Sequence, residues 1–292
     1  MDPVRTIVRG EDGWPPRLSS IPEPPERLRV RGNLGPPGER RVAVVGSRVV
    51  DGYGAELTRA IVTGLARAGV CVVSGGAAGV DAAAHEAALG AGGRTIAVLG
   101  TGVDIAYPAA HRALFDRIVE AGGALVSEYE DGTPGATWTF PRRNRIVSGM
   151  SEAVLVVRAG ERSGALITAS WATRQGIPVL AVPGDVREEG SAGPLALLRR
   201  GAKVAASAED VLAAIGMTGQ LGLPLTSEEG TPQDLAPREV AILETLGRVP
   251  RHADEVARAA GVAPGAALSA LLVLELRGLC EQRPGHYFLR PR

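Results

Sequence analysis

Arg41-Val42-Ala43-Val44-Val45-Gly46-Ser47-Arg48 is the stretch that decides the fold. Four small or branched apolar residues in a row, stopped by glycine, read as a strand buried on both faces, since a strand with one wet face would alternate with polar residues. Leu57, Ile61, Val62 and Leu65 follow at helical spacing, so the strand feeds a helix with one apolar stripe. The unit then repeats. Val70 to Val73, Thr95 to Leu99, Ala124 to Val126, Ala153 to Val157 and Val179 to Val182 are further apolar runs, separated by helical stretches at Asp81 to Leu89, His111 to Ala121, Arg143 to Met150 and Ser163 to Gln175. Such alternation predicts an α/β fold, a doubly wound parallel-sheet Rossmann-like domain over residues 41–216. A closed eight-stranded barrel would need more β-α units than the chain supplies.

The flanks differ in composition. Residues 1–40 are proline-rich, with Gly13-Trp14-Pro15-Pro16-Arg17-Leu18 and Ile21-Pro22-Glu23-Pro24-Pro25-Glu26, a density that excludes regular helix. They are expected as an extended arm ending in a short strand at Leu28 to Arg31. Residues 217–236 are rich in Gly, Pro, Thr and Ser and read as a linker. Over 237–292, helical patterns at Arg238 to Leu246, Ala253 to Ala260 and Ala266 to Arg277 precede an alternating segment that turns at Pro284-Gly285-His286. Three helices and a hairpin predict a small C-terminal winged-helix domain.

Composition excludes several classes. The net charge is +0 over 292 residues, so a histone-like binder is excluded and any anion site must come from local clustering. Lys203 is the single lysine, a compositional bias that weakens any claim that arginine was chosen at one position for its shape. Two cysteines are too few for a disulfide framework or a metal cage, and Cys71 lies inside an apolar run. With no apolar signal core or membrane-length run, a cytoplasmic protein without membrane contact is expected.

In a doubly wound sheet, ligands sit beyond the carboxyl ends of the strands. Three glycine turns fall there: Gly46-Ser47-Arg48, Ser74-Gly75-Gly76-Ala77-Ala78-Gly79 and Gly160-Glu161-Arg162-Ser163-Gly164. Glycine lets backbone amides approach an anion, although tight β-α turns need glycine regardless of ligand. Neither the dinucleotide G-x-G-x-x-G nor the G-x-x-x-x-G-K-[ST] pattern is present. No cofactor and no metal are expected, because His111, His252 and His286 lack partners at ligand spacing. Asp81 and His85 stand four apart on one helix, which suits an acid-base pair but more often marks a helix-start carboxylate and a packed histidine.

Trp138-Thr139-Phe140-Pro141-Arg142-Arg143-Asn144-Arg145 sets two aromatics beside three guanidiniums in a chain only 3% aromatic. Arginine forks match phosphate oxygens and aromatic faces accept unstacked bases, the two ingredients of single-strand binding. The competing reading is a helix start with Pro141 at the first helical position and Ile146 and Val147 turned inward. In the tail, Gly261 to Leu274 carries no charge, which argues against a base-reading helix. Leu268, Leu271 and Leu272 are assigned to its small core and Ala267, Ser269 and Ala270 to a bland outer face, making protein contact the better reading.

Together these motifs resemble the DNA-processing protein A family (DprA, also called Smf). The likeness rests on the arm with Val30-Arg31-Gly32-Asn33-Leu34, on Val45-Gly46-Ser47-Arg48, and on Ser74 to Asp81 with His85. It rests equally on Phe140-Pro141-Arg142-Arg143-Asn144-Arg145-Ile146, on Glu161-Arg162-Ser163-Gly164-Ala165-Leu166 with Thr168-Ala169, and on Val182-Pro183-Gly184-Asp185. The resemblance implies a homodimer that binds single-stranded DNA, protects incoming strands during natural transformation and loads the RecA recombinase onto them. It implies that Gly46, Ser47 and Arg48 hold phosphate, that Phe140, Arg142, Arg143, Asn144 and Arg145 line the strand's path, and that Ser163, Gly164 and Thr168 shape the same pocket. Gly75 and Gly76 complete the candidate set. One departure stands out: Leu195 occupies the place of a family asparagine. The alternative is a nucleotide-binding or nucleotide-cleaving enzyme, for which Asp81, His85, Glu161 and Asp185 are the candidate groups.

Overall fold

The computed structural model describes residues 3–217, 235–247, 249–276, 279–283 and 285–290, grouped into two compact units divided between 217 and 235. Residues 218–234, most of the expected linker, lie outside the described residues, as do Arg277 and Pro284.

In chain order the first unit contains β1 (Val4–Val8), β2 (Arg27–Gly32), β3 (Arg41–Val45), α1 (Gly52–Arg67), β4 (Cys71–Ser74), α2 (Val80–Gly90), β5 (Thr95–Val98), α3 (Arg112–Glu120) and β6 (Ala124–Ser127). It continues through α4 (Thr139–Gly149), β7 (Ala153–Val156), α5 (Ala165–Arg174), β8 (Val179–Ala181), α6 (Glu189–Arg199), β9 (Lys203–Val204) and α7 (Ala208–Ala214). One nine-stranded sheet runs β1-β2-β6-β5-β4-β3-β7-β8-β9. Strands β3 to β9 pair in parallel. Chain order reverses at β3, whose neighbours are β4 on one side and β7 on the other.

The period-2 geometry of β3 explains why its sequence is apolar throughout. Val42 and Val44 face a core built with Ile61, Val62 and Leu65 of α1 and Val80, Ala84 and Ala88 of α2. Ala43 and Val45 face the opposite core, with Ile146 and Val147 of α4 and Ala165 and Ala169 of α5. Both faces are dry, so neither register position tolerates a polar residue.

The short strand expected at the end of the arm is present as β2, and the arm supplies a second strand, β1, that was not expected. β1 pairs antiparallel with β2, and β2 antiparallel with β6, so the sheet is parallel only from β6 to β9. β2 alternates buried Leu28 and Val30 with Arg27, Arg29 and Arg31, whose guanidiniums meet Glu130, Asp131 and Asp116. The prolines between β1 and β2 do not keep the chain off the domain: Trp14, Leu18 and Ile21 join the core beside α4. Helix α6 contains Gly190, Gly193 and Pro194, and the proline is accommodated inside it where Gly193 packs against the Ala159 carbonyl.

The second unit contains α8 (Pro237–Thr245), β10 (Arg251–His252), α9 (Ala253–Ala260), α10 (Pro264–Leu276), β11 (Glu281–Arg283) and β12 (Tyr287–Leu289), with sheet order β10-β12-β11. Ile242, Val256, Leu271, Leu274 and Phe288 form its core. The two faces of α10 differ from the sequence expectation. Ala267 and Ala270 are buried, at i and i+3 of the stripe that holds Leu271 and Leu274, whereas Leu272 is 44% exposed. A helix apolar all round does not reveal its inner face by composition, and small residues sit inward where α8 and α9 approach. No single helix among the described residues is long and apolar enough to cross a membrane.

Because Leu18 is fully buried among sheet and helix side chains, truncating it leaves a cavity. Leu18→Ala is expected to lower unfolding stability by about 2–5 kcal/mol in urea titrations. A loss within about 0.5 kcal/mol, the size for an unremarkable surface position, would mean that this segment contributes no core.

Candidate functional site

The strand-order reversal at β3 opens a crevice of about 680 Å³ at the carboxyl ends of β3, β4 and β7. This is where a doubly wound sheet places its ligand, because loops from the two halves of the sheet diverge there. Its walls are Gly46, Ser47 and Arg48 after β3, Gly75 and Ala77 after β4, Tyr107, the turn 135–137 with α4, and Gly160, Arg162, Ser163, Gly164, Ile167 and Thr168 around the start of α5. Arg48 and Phe140, far apart in sequence, share this crevice.

Local packing holds each wall. Gly46 is obligatory for proximity: a Cβ there would sit 2.5 Å from Val80 Cγ2 and 2.8 Å from the Arg158 carbonyl. The Ser47 amide donates to that same carbonyl at 2.6 Å, joining the β3 and β7 loops. The buried Arg158 side chain reaches the Ser191 hydroxyl and Asp51, which in turn caps α1 at the Gly54 amide, 2.7 Å away. At the β7 side, Ser163 Oγ accepts from the Ala165 amide at 3.3 Å and Asn144 Nδ2 donates to the Gly164 carbonyl at 3.3 Å, so α4 and the α5 entry are tied together. Thr168 is buried one turn into α5.

The three arginines of α4 have three different environments. Arg143 is on the crevice floor, donating to the Gly75 carbonyl at 2.6 Å and to the Val98 carbonyl. Burial pulls its guanidinium down to about 10 although Asp81 lies nearby. Arg145 points away from the crevice. It is fully buried, grips both Glu128 oxygens at 2.6 and 2.7 Å, and donates to the Glu23 carbonyl at 2.7 Å. Its expected place on a strand path is therefore corrected: it is a structural cation joining α4 to β6 and the proline segment. Arg142 is exposed but also lies outside the crevice, on the other side of α4.

Gly76 is likewise corrected. It has φ +70°, its Cβ position is closed by Phe115, and its carbonyl accepts from His111 Nδ1 at 2.9 Å; it does not line the crevice. Asp81 accepts from the Gly75 and Ala77 amides at 3.1 and 3.3 Å, and burial lifts its carboxyl above the usual range despite Arg143. His85 is separate. Thr95 Oγ1 gives its only proton to the Val72 carbonyl, so His85 Nδ1 donates to Thr95 at 2.7 Å and Nε2 is left without a partner. Asp81 and His85 thus share a helix without forming an acid-base pair. Asp185 pairs with Arg187 in an exposed loop, and Glu161 borders an adjoining groove with Arg187 and Glu188, which shares Arg162 and Glu189 with the crevice.

Tyr107 was among the crevice residues that escaped the sequence reading, and Arg162 was read in its glycine turn but not counted as a site residue. Tyr107 packs against Phe140 with centroids 4.9 Å apart, and Arg162 lines the opposite wall. The scarcity of aromatics and the position of Tyr107 after β5 were available signals; Arg162 stood inside a glycine turn already singled out. Among the described residues, Arg48 and Arg162 are exposed and in no ion pair; Arg162 also borders the neighbouring groove with the exposed carboxylates Glu161, Glu188 and Glu189. No group of three or more His, Cys, Asp or Glu among the described residues is placed to hold a metal ion.

The reversal of the sheet at β3 sets Arg48 and Arg162 in one crevice with the Tyr107–Phe140 ring pair, and relatives define the class of protein. The sequence family described as DNA recombination-mediator protein A matches residues 5–216, and the DprA winged helix domain matches residues 226–286. The chain belongs to the DNA recombination-mediator protein A (DprA) family of DNA-processing proteins. It is 39% identical to the putative DNA processing protein DprA of Mycobacterium tuberculosis, over 97% of this chain and 76% of that one. The solved structure of DNA processing protein A from Streptococcus pneumoniae is similar at 41% identity and TM-score 0.68, covering 72% of this chain and 74% of that one. DNA processing protein A from Helicobacter pylori, described for its single-stranded DNA binding mode, is similar at 26% identity and TM-score 0.64, covering 73% and 96%.

Removing one partner of a buried ion pair strands the other charge. Arg145→Ala is expected to cost about 3–5 kcal/mol of unfolding stability, whereas Arg142→Ala costs less than about 1 kcal/mol; denaturant titrations separate the two. Burial holds His85 down to about 3, against about 6.5 in an unfolded chain. Between those values the unfolded chain binds the proton and the folded chain refuses it, so stability falls as pH drops from about 6.5 toward 3, by on the order of a few kcal/mol. Stability curves of the protein and of His85→Gln should diverge across that window; parallel curves would show that His85 does not contribute.

Proposed function

We propose that this chain is a non-catalytic single-stranded DNA-binding protein. It protects incoming DNA and loads the RecA recombinase onto it during natural transformation and recombination, working as a homodimer in the cytoplasm. The observation that carries the reading is the pair of unpaired guanidiniums, Arg48 and Arg162, set in one crevice with the Phe140 ring. Guanidiniums neutralise phosphate, and an aromatic face accepts any base, so grip without sequence preference follows from the side chains alone. The Helicobacter pylori relative, described for single-strand binding, supports it. RecA delivery and the dimer are what the family resemblance implies, and the family's description as a recombination mediator supports a role in recombination.

A nucleotide-cleaving enzyme is the second reading, since the same sheet edge suits a mononucleotide. It needs an activated base or nucleophile in the crevice. Asp81 is tied to backbone amides, and His85 is enclosed and unprotonated. Release of free base from nucleoside monophosphates would restore that reading.

Binding of oligo-dT should weaken steeply with salt, because each phosphate contact on a single strand contributes about −0.7 to the slope of log K against log salt. Arg48→Ala is expected to weaken binding roughly tenfold on every sequence and to reduce that slope by about 0.7. An oligonucleotide titration showing no binding, or no salt slope, would defeat the proposal; unchanged affinity in Arg48→Ala would remove that residue from the site.

A further inference from the structure

Trp138 is 58% exposed, the most exposed ring among the described large hydrophobic residues. It stands on the edge of Tyr129, with centroids 5.9 Å apart and planes at 81°, which leaves more than half of the indole in water. One helical turn on, the Arg142 side chain is 55% exposed and lies 3.7 Å from Glu128 Oε2. That carboxylate is already held by Arg145 through both oxygens, so Arg142 keeps its donors available. Trp138 and Arg142 therefore form an exposed ring-and-guanidinium pair on the side of α4 away from the crevice. Between the two sites lies the start of α4, which has no side-chain cap and no acidic residue in its first turn. Its amide end is electropositive. Thr137, Phe140 and Pro141, the neighbours of Trp138 in sequence, all line the crevice.

We propose that the strand-binding surface continues out of the crevice, over the start of α4, to a second station where Trp138 stacks one further base and Arg142 meets one further phosphate of the same strand. The inference rests on the single-strand reading above, and the continuity of crevice, helix start and exposed pair selects the DNA strand as occupant. A stacked base contributes about 1–3 kcal/mol, equivalent to roughly five- to 150-fold in affinity.

The test uses the full chain with oligo-dT of about four and about sixteen nucleotides, the span of site sizes seen in single-strand binders. Trp138→Ala should leave the short strand's affinity unchanged and weaken the long strand at least about fivefold. Arg142→Ala should reduce the salt slope by about 0.7 for the long strand alone. The long strand should quench indole emission in the protein and quench it less in Trp138→Phe. Equal effects on both lengths, or none on either, overturn the second station, as does emission that the substitution leaves equally quenched; the exposed pair would then be a contact for a protein partner. Failure of the crevice reading is recognised separately, by short strands that bind equally well to Arg48→Ala. Absence of any binding removes both.

Discussion

The amide of Ser47 donates to the carbonyl of Arg158 at 2.6 Å, and this bond closes the gap between two strands whose chains run on to opposite halves of the sheet. The loops after β3 and β7 are positioned from there. Gly46 has no room for a side chain because Val80 and Arg158 approach it. Arg158 extends the same tie through its side chain to α1 and α6, using Asp51 and Ser191. A guanidinium whose donors are engaged on two elements resists rearrangement, since displacing either partner would leave a buried charge without compensation. The loops after β3 and β7 are therefore rigid supports for Arg48 and Arg162, which themselves remain unpaired.

Helix α4 shows how one residue type acquires separate roles by angular position alone. Successive residues turn by about 100°, so Arg142, Arg143 and Arg145 leave the helix toward water, toward the crevice floor and toward Glu128. Sequence reading grouped them as one phosphate-binding set because composition is blind to that rotation. The inward-facing cations join segments far apart in the chain: Arg143 links α4 to the loops of β4 and β5, and Arg145 links it to β6 and to the proline segment. Phe140 is held between these anchors. A Cβ on Gly100 or Gly135 would come within 2.7 Å of its ring, so the ring is clamped at its edges while Tyr107 covers part of one face.

The parallel core was legible because strands dry on both faces leave an unmistakable apolar run, as in Val42 to Val45 and Ala153 to Val156. The crevice was legible in outline because glycine turns at strand ends mark where backbone must come close. What escaped were features whose signal is not local. β1 buries one side chain, Ile7, and is recognisable as a strand only through its pairing with β2. Trp14, Leu18 and Ile21 are core residues spaced by prolines, with no period to betray them. In α10, uniform apolarity erased the contrast that would have told Ala267 from Leu272. Burial of Arg145 depends on Glu128 and Glu23, which sequence order does not bring near it.

The carboxylate of Asp81 carries a further consequence. By receiving the Gly75 and Ala77 amides it works as a built-in counter-anion, filling from within the cradle that a nucleotide cofactor's pyrophosphate would otherwise enter. An incoming phosphate there would have to displace a negative group that is covalently part of the wall. The Gly75 and Ala77 amides are thereby engaged within the protein itself.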